Sequence, residues 1–116
     1  MVVDDSDAIR MVLKDIISIG KHRLVGDLNT GIQALENYIK IKPDIVLLDL
    51  AMPKKDGVSV LKEILEFDPN ANIIMISASD NQDTVKKCLN IGAKAYILKP
   101  FNFQDVLDTI TKVAKQ

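Results

Sequence analysis

Pro43-Asp44-Ile45-Val46-Leu47-Leu48-Asp49-Leu50-Ala51-Met52-Pro53 decides how this chain folds. Four apolar residues run without alternation from Ile45 to Leu48 and stop at an acid, Asp49. Such a run suits a strand covered on both faces, as in a parallel sheet. The pattern recurs on either side. Met1-Val2-Val3 stops at the doubled acid Asp4-Asp5, Ile73-Ile74-Met75-Ile76 at Ser77, and Tyr96-Ile97-Leu98 at Lys99-Pro100.

Between these runs the apolar residues repeat at helical spacing. Ile9, Val12, Leu13, Ile16 and Ile17 give a first helix, stopped by Gly20. A short second strand is expected between His22 and Asp27, centred on Leu24 and Val25. Thr30 and Gln33 have capping-box spacing, with Ile32, Leu35 and Ile39 as the face of a second helix ended by Pro43. The third strand runs from Asp44 to Asp49, and the turn-rich segment Leu50 to Gly57 follows it. Val58, Leu61, Ile64 and Leu65 give a third helix, ended by Asp68-Pro69-Asn70. Asp80 is placed to cap a fourth helix with apolar Val85, Cys88 and Leu89, and Gly92 ends it. The fifth strand spans Lys94 to Leu98. Asn102 caps a last helix with Phe103, Val106, Leu107, Ile110 and Val113 on one face.

Five alternating β and α units predict a doubly wound α/β fold with helices on both faces of a parallel sheet. The five-stranded, flavodoxin-like order 2-1-3-4-5 suits the length better than a six-stranded dinucleotide-binding sheet. That order sets the first strand beside the third, so Asp4, Asp5 and Asp49 converge at one rim.

The 116 residues fit one domain, taken as 1–116, and 47% hydrophobic residues suffice for a core. A net charge of −1 gives no general basic field, so no nucleic-acid partner is expected. No apolar run approaches a membrane span, and no signal peptide precedes the first strand. The single cysteine, Cys88, excludes an intramolecular disulfide and sits at a core position of its helix. A cytoplasmic protein is expected. His22, the only histidine, lies between Gly20 and the second strand and reads as surface or packing.

The rim brings together three carboxylates, a hydroxyl and an ammonium. Crowded carboxylates repel, and without a counter-charge one takes up a proton. Mg2+ removes the conflict, since it takes one or two carboxylates, keeps waters and suits phosphate chemistry. Asp5 and Asp49 are assigned as direct ligands, Asp4 as a ligand through water, and the backbone carbonyl of Ala51 as a further donor. Asp49, at the central strand end, is the best nucleophile toward phosphorus. Phosphoryl transfer then needs positioning and charge neutralisation, which Mg2+, Lys99 and the Ser77 hydroxyl supply. Each residue has an ordinary explanation alone. Asp-Asp-Ser can cap a helix, Asp49 can serve a turn, Ser77 can be a satisfied hydroxyl, Lys99 can snorkel, and Pro100 can open a helix. Their coincidence at four strand ends favours the chemical reading.

Val2-Val3-Asp4-Asp5-Ser6, Asp49-Leu50-Ala51-Met52-Pro53-Lys54-Lys55-Asp56-Gly57, Ser77-Ala78 and Lys99-Pro100-Phe101 together resemble the receiver domains of two-component response regulators, especially stand-alone chemotaxis-type ones. The resemblance covers essentially the whole chain. It implies Mg2+-dependent phosphorylation of Asp49 by a histidine kinase, with Asp4 and Asp5 as the acid pair. It also implies a cis peptide between Lys99 and Pro100 and a switch pair, Ser77 and Tyr96. In that pair Ser77 moves to the phosphoryl group and Tyr96 turns inward behind it. Tyr96 alone would read as a strand aromatic covering a helix. The implied partner surface is helix four, strand five and helix five. Downstream, a flagellar or archaellar adaptor or a phosphotransferase is expected. A phosphorelay intermediate and a fragment of a larger response regulator are the alternatives, the first reading having no output domain.

Two departures stand out. Only three residues precede Asp4, and both Ala51 and Ser79, the positions two past Asp49 and Ser77, are small. Outside the family, an aspartate-nucleophile phosphatase of the haloacid dehalogenase type uses similar groups. It needs a second acid two residues after the nucleophile, where this chain has Ala51. A phosphoryl group without that proton donor lingers, which suits a switch and not a multiple-turnover enzyme. A flavodoxin-like binding module is disfavoured by the acidic first loop, and a degenerate docking receiver by the presence of every phosphorylation residue.

Overall fold

The structure, a computed structural model, describes residues 1–115. Its elements alternate in chain order: β1 (Val2–Val3), α1 (Asp7–Ile19), β2 (Asp27–Leu28), α2 (Ala34–Ile41), β3 (Val46–Asp49), α3 (Gly57–Phe67), β4 (Ile73–Ser77), α4 (Gln82–Ile91), β5 (Ala95–Leu98) and α5 (Phe103–Ala114). The sheet is parallel throughout with order β2-β1-β3-β4-β5, as the alternation predicts.

The unbroken apolar runs are explained by two cores. Val3, Val46, Leu48, Ile73 and Met75 face Ala34, Tyr38, Val60, Leu61, Ile64 and Cys88 of α2, α3 and α4. Val2, Leu47, Ile74, Ile76 and Ile97 face Leu13, Ile16 and Ile17 of α1 and Val106, Ile110 and Val113 of α5. Successive strand residues point to opposite faces, so a strand covered on both sides must be apolar at every position. Each such Ile, Leu or Val, removed from water, contributes roughly 1.5–3 kcal/mol.

Register sets the rim. Val3 pairs with Leu48 and Leu48 with Met75, which puts Asp4 beside Asp49. Asp49 pairs with Ile76, and Ser77 with Leu98, so Ser77 and Lys99 stand one and two residues farther out.

Several expected boundaries shift. The second strand is Asp27–Leu28 and not the stretch around Leu24-Val25. Its ladder to β1 starts at Gly26, whose carbonyl accepts from the Val2 N–H at 2.9 Å, so the short β1 dictates which edge residues pair. The capping box at Thr30 and Gln33 does not form. Thr30 Oγ1 accepts from the Ile32 N–H at 3.3 Å and makes a turn, and α2 starts at Ala34 with no side-chain cap from Gln33. Its buried face is therefore Ala34 and Tyr38, while Ile32 and Ile39 are exposed. The α4 cap is Asn81, one residue past Asp80, with Oδ1 accepting from Asp83 and Thr84. On α4 only Cys88 is buried, and Leu89 is exposed. Val12 of α1 and Phe103 of α5 are also exposed, each at the outer margin of its helix's apolar stripe.

Ser6 caps α1 through Ile9, Asp56 caps α3 through Ser59, and Asn102 caps α5 through Asp105. At the far end of α2, Lys42 has φ 53° and ψ 60°, a left-handed conformation that an exposed lysine holds against its preference. Replacing Lys42 by glycine is expected to stabilise the fold by about 1 kcal/mol, read as a higher urea midpoint with an unchanged slope.

Candidate functional site

Asp4 and Asp5 leave the end of β1, Asp49 ends β3, Ser77 ends β4, and Lys99 follows β5. The carboxylates of Asp4, Asp5 and Asp49 each offer an oxygen within 4.8 Å of the others. Asp4 and Asp49 are only 1% and 4% exposed, whereas Asp5 is open to solvent. Lys99 bridges the buried pair, with Nζ 3.1 Å from Asp4 Oδ2 and 3.2 Å from Asp49 Oδ1. The Lys99–Pro100 peptide is cis.

One ammonium does not balance three crowded acids. Burial, then the nearby Asp4 charge and a hydrogen bond with Asp5, push the Asp49 carboxyl up to about 6 against the opposing pull of Lys99. Burial alone would lower the Lys99 ammonium, but its bonds and charge pairing with Asp4 and Asp49 outweigh that and raise it. A cluster that holds surplus negative charge out of water fits a hard divalent cation bound through carboxylate oxygens. The fit rests on the donor set, which is all oxygen with one open side at Asp5.

Asp4 is also fixed locally. Its Oδ1 accepts from the Ser6 N–H at 2.9 Å and its own N–H donates to Leu28 at 3.0 Å. Capping of α1 falls to Ser6, so the helix start does not consume Asp5. Ala51 lies exposed in the loop after β3, ahead of buried Met52.

Ser77 and Tyr96 meet at one residue. Ser77 Oγ accepts from the Ser79 N–H at 3.1 Å, and the Tyr96 hydroxyl donates to the Ser79 carbonyl at 2.8 Å. Ser77 is buried and Tyr96 half-buried. His22 lies away from this rim, beside Gly20 at the end of α1, and Cys88 is buried in the α2–α4 core.

Two residues near the rim escaped the sequence reading. Gly57 opens α3 so close to β3 that a Cβ there would stand 2.2 Å from the Asp49 carbonyl oxygen. The Asp56-Gly57 pair signalled a turn but not this approach. Arg10 donates from Nη1 to the Asp4 carbonyl at 2.7 Å. No pattern in the sequence marks it, since a backbone carbonyl is a partner that every residue offers.

The profile of the response regulator receiver domain matches residues 1–111. This chain belongs to that family. It is 42% identical over 115 residues to the chemotaxis protein CheY of Thermotoga maritima, covering 99% of this chain and 96% of that one. The CheY of Bacillus subtilis is 41% identical, over 97% of this chain and 93% of the relative. Sporulation initiation phosphotransferase F of the same organism is 31% identical, over 97% and 90%. Among solved structures, the CheX-CheY-BeF3-Mg2+ complex from Borrelia burgdorferi matches with a TM-score of 0.93 and 39% identity, covering 97% of this chain and 85% of that one. Among the described residues, no helix of this receiver domain is long and apolar enough to cross a membrane.

The Asp49 shift carries a sign. Its folded value lies above its unfolded one, near 4, so the protonated form's stabilisation is whole below about pH 4 and is lost as pH rises through about 6. In metal-free buffer at pH 7, Asp49→Asn should therefore exceed the wild type in stability by on the order of 3 kcal/mol. The gap should close between pH 6 and 4 in paired urea melts. Gly57→Ala should destabilise by on the order of 3 kcal/mol, since the clash is with backbone. It should also lower phosphoryl acceptance, measured by mass, in the fraction that remains folded.

Proposed function

We propose that this receiver domain is a chemotaxis-type switch in which Asp49 accepts a phosphoryl group from a histidine kinase. The observation that carries this reading is Asp49 itself. It is a buried carboxylate at the central strand end, with Lys99 on one oxygen and two further acids beside it. That arrangement suits a transfer in which a carboxylate oxygen forms the new bond to phosphorus while the donor's P–N bond breaks. The electron pair of the broken bond stays on the donor histidine.

Asp5 and Asp49 would hold Mg2+ directly, with Asp4 through water and the Ala51 carbonyl as a further donor. The ion supplies charge neutralisation on the transferring oxygens and lets Asp49 stay ionised. Lys99 adds a positive charge that can follow the phosphoryl oxygens. Ser77 supplies the switch. When its hydroxyl turns toward the phosphoryl group it releases the Ser79 N–H, and Ser79 is the residue whose carbonyl holds Tyr96. A chemical event at Asp49 thereby reaches β5. The outer face of α4, β5 and α5 carries exposed Leu89, Leu98 and Phe103, a surface suited to a partner protein.

The protein acts as a switch and not as a multiple-turnover hydrolase, because Ala51 brings no acid or base to the Asp49 phosphoryl group. The relatives named CheY support a chemotaxis pathway, with a histidine kinase upstream and a flagellar or archaellar adaptor or a phosphotransferase downstream. A cytoplasmic location goes with it.

Incubation with acetyl phosphate and Mg2+ should add one phosphoryl group, labile to hydroxylamine and mapped to Asp49 by mass. Asp49→Asn and omission of Mg2+ should each abolish it. A wild type that stays unmodified under these conditions defeats the reading.

A further inference from the structure

The Arg10 guanidinium holds three partners at once. Nη1 donates to the Asp4 carbonyl at 2.7 Å, Nε pairs with Asp27 at 2.9 Å, and Nη2 pairs with Asp7. The side chain is only 13% exposed. The ion pairs alone do not need an arginine. Lys14 already pairs with Asp27 at 2.5 Å, and the Asp7 contact is an ordinary i,i+3 pair. What needs the fork is the simultaneous hold on a backbone carbonyl and two carboxylates in different directions, which a single ammonium cannot reproduce.

The carbonyl in question belongs to the peptide that joins Asp4 to Asp5. That unit is planar, so fixing the Asp4 oxygen fixes the plane and with it the direction in which the chain delivers Asp5. Asp4 has other anchors, at Leu28, Ser6 and Lys99. Asp5 is exposed and borrows its placement from its neighbours. Asp4 is buried, so water is poorly placed to replace the guanidinium at that carbonyl.

We infer that Arg10 is a positioning residue for the divalent-cation site, holding the Asp4–Asp5 peptide so that both carboxylates face Asp49. This rests on the cation site proposed above. Partners of this kind, which orient ligands without touching the ion, change metal affinity by about 10–100-fold when removed. Simple electrostatics points the other way. Deleting Arg10 removes one positive charge and releases Asp7 and Asp27, which by itself tightens a nearby cation. The direction of the change therefore separates positioning from charge.

The test is calorimetric titration of Mg2+ into metal-free protein at constant ionic strength, with circular dichroism to confirm folding. Arg10→Ala and Arg10→Lys should each bind Mg2+ about tenfold more weakly than wild type. Lys14→Ala, which removes a partner of Asp27 without touching Asp4, should stay within about twofold, as a charge far from the ligand plane. Arg10→Lys holds the charge constant and decides the matter if Arg10→Ala fails to fold. Equal or tighter Mg2+ binding by Arg10→Lys overturns the inference while leaving the cation site intact. A wild type that binds no Mg2+ overturns the cation site itself, and the inference with it.

Discussion

Lys99 stands between two carboxylates that water barely reaches, and the rest of the structure is arranged around that contact. Asp4 and Asp49 come from different strands, and Lys99 from a third. The ion pair exists only if β1 sits beside β3 and β5 ends on the same side, which the order β2-β1-β3-β4-β5 provides. It leaves the acids under-compensated, as the raised Asp49 carboxyl records. A receiver domain of this kind is folded at the expense of its own rim, a tension that the cation proposed for Asp5 and Asp49 would relieve.

The glycine at 57 and the cis bond at Pro100 belong to the same arrangement. One lets α3 start against the backbone of Asp49, and the other lies where the chain turns from β5 toward α5. Neither adds a chemical group. Arg10 likewise acts on backbone, at the opposite side of the rim.

What was legible in the sequence follows from which contacts leave a pattern. The third and fourth strands read clearly because two covered faces force apolar residues at every position. The second strand did not, because an edge strand with two paired residues takes its bounds from β1 and not from its own side chains. Thr30 and Gln33 carried a helix-start spacing, yet the hydroxyl closed a turn two residues on, a competition between local bonds that composition cannot rank. Asp4, Asp5, Asp49, Ser77 and Lys99 were legible as residues that interrupt apolar runs. Their convergence depends on the strand order, and the meeting of Ser77 and Tyr96 at Ser79 depends on a backbone turn that leaves no pattern in the side chains. Arg10 was invisible because its decisive partner is a carbonyl, which every residue has.

Helix α4 rests on the sheet by one buried side chain, Cys88, where α3 buries Gly57, Val60, Leu61 and Ile64. Six of its ten positions are exposed, while Thr84, Val85 and Ile91 are half-buried and Ile91 packs against the core. Mutation can rewrite its outward face with little penalty in folding and none in the phosphoryl chemistry, which lies on other elements. The rim and this outer face stand on largely separate elements, so the surface offered to a partner can change while the groups at the rim stay as they are.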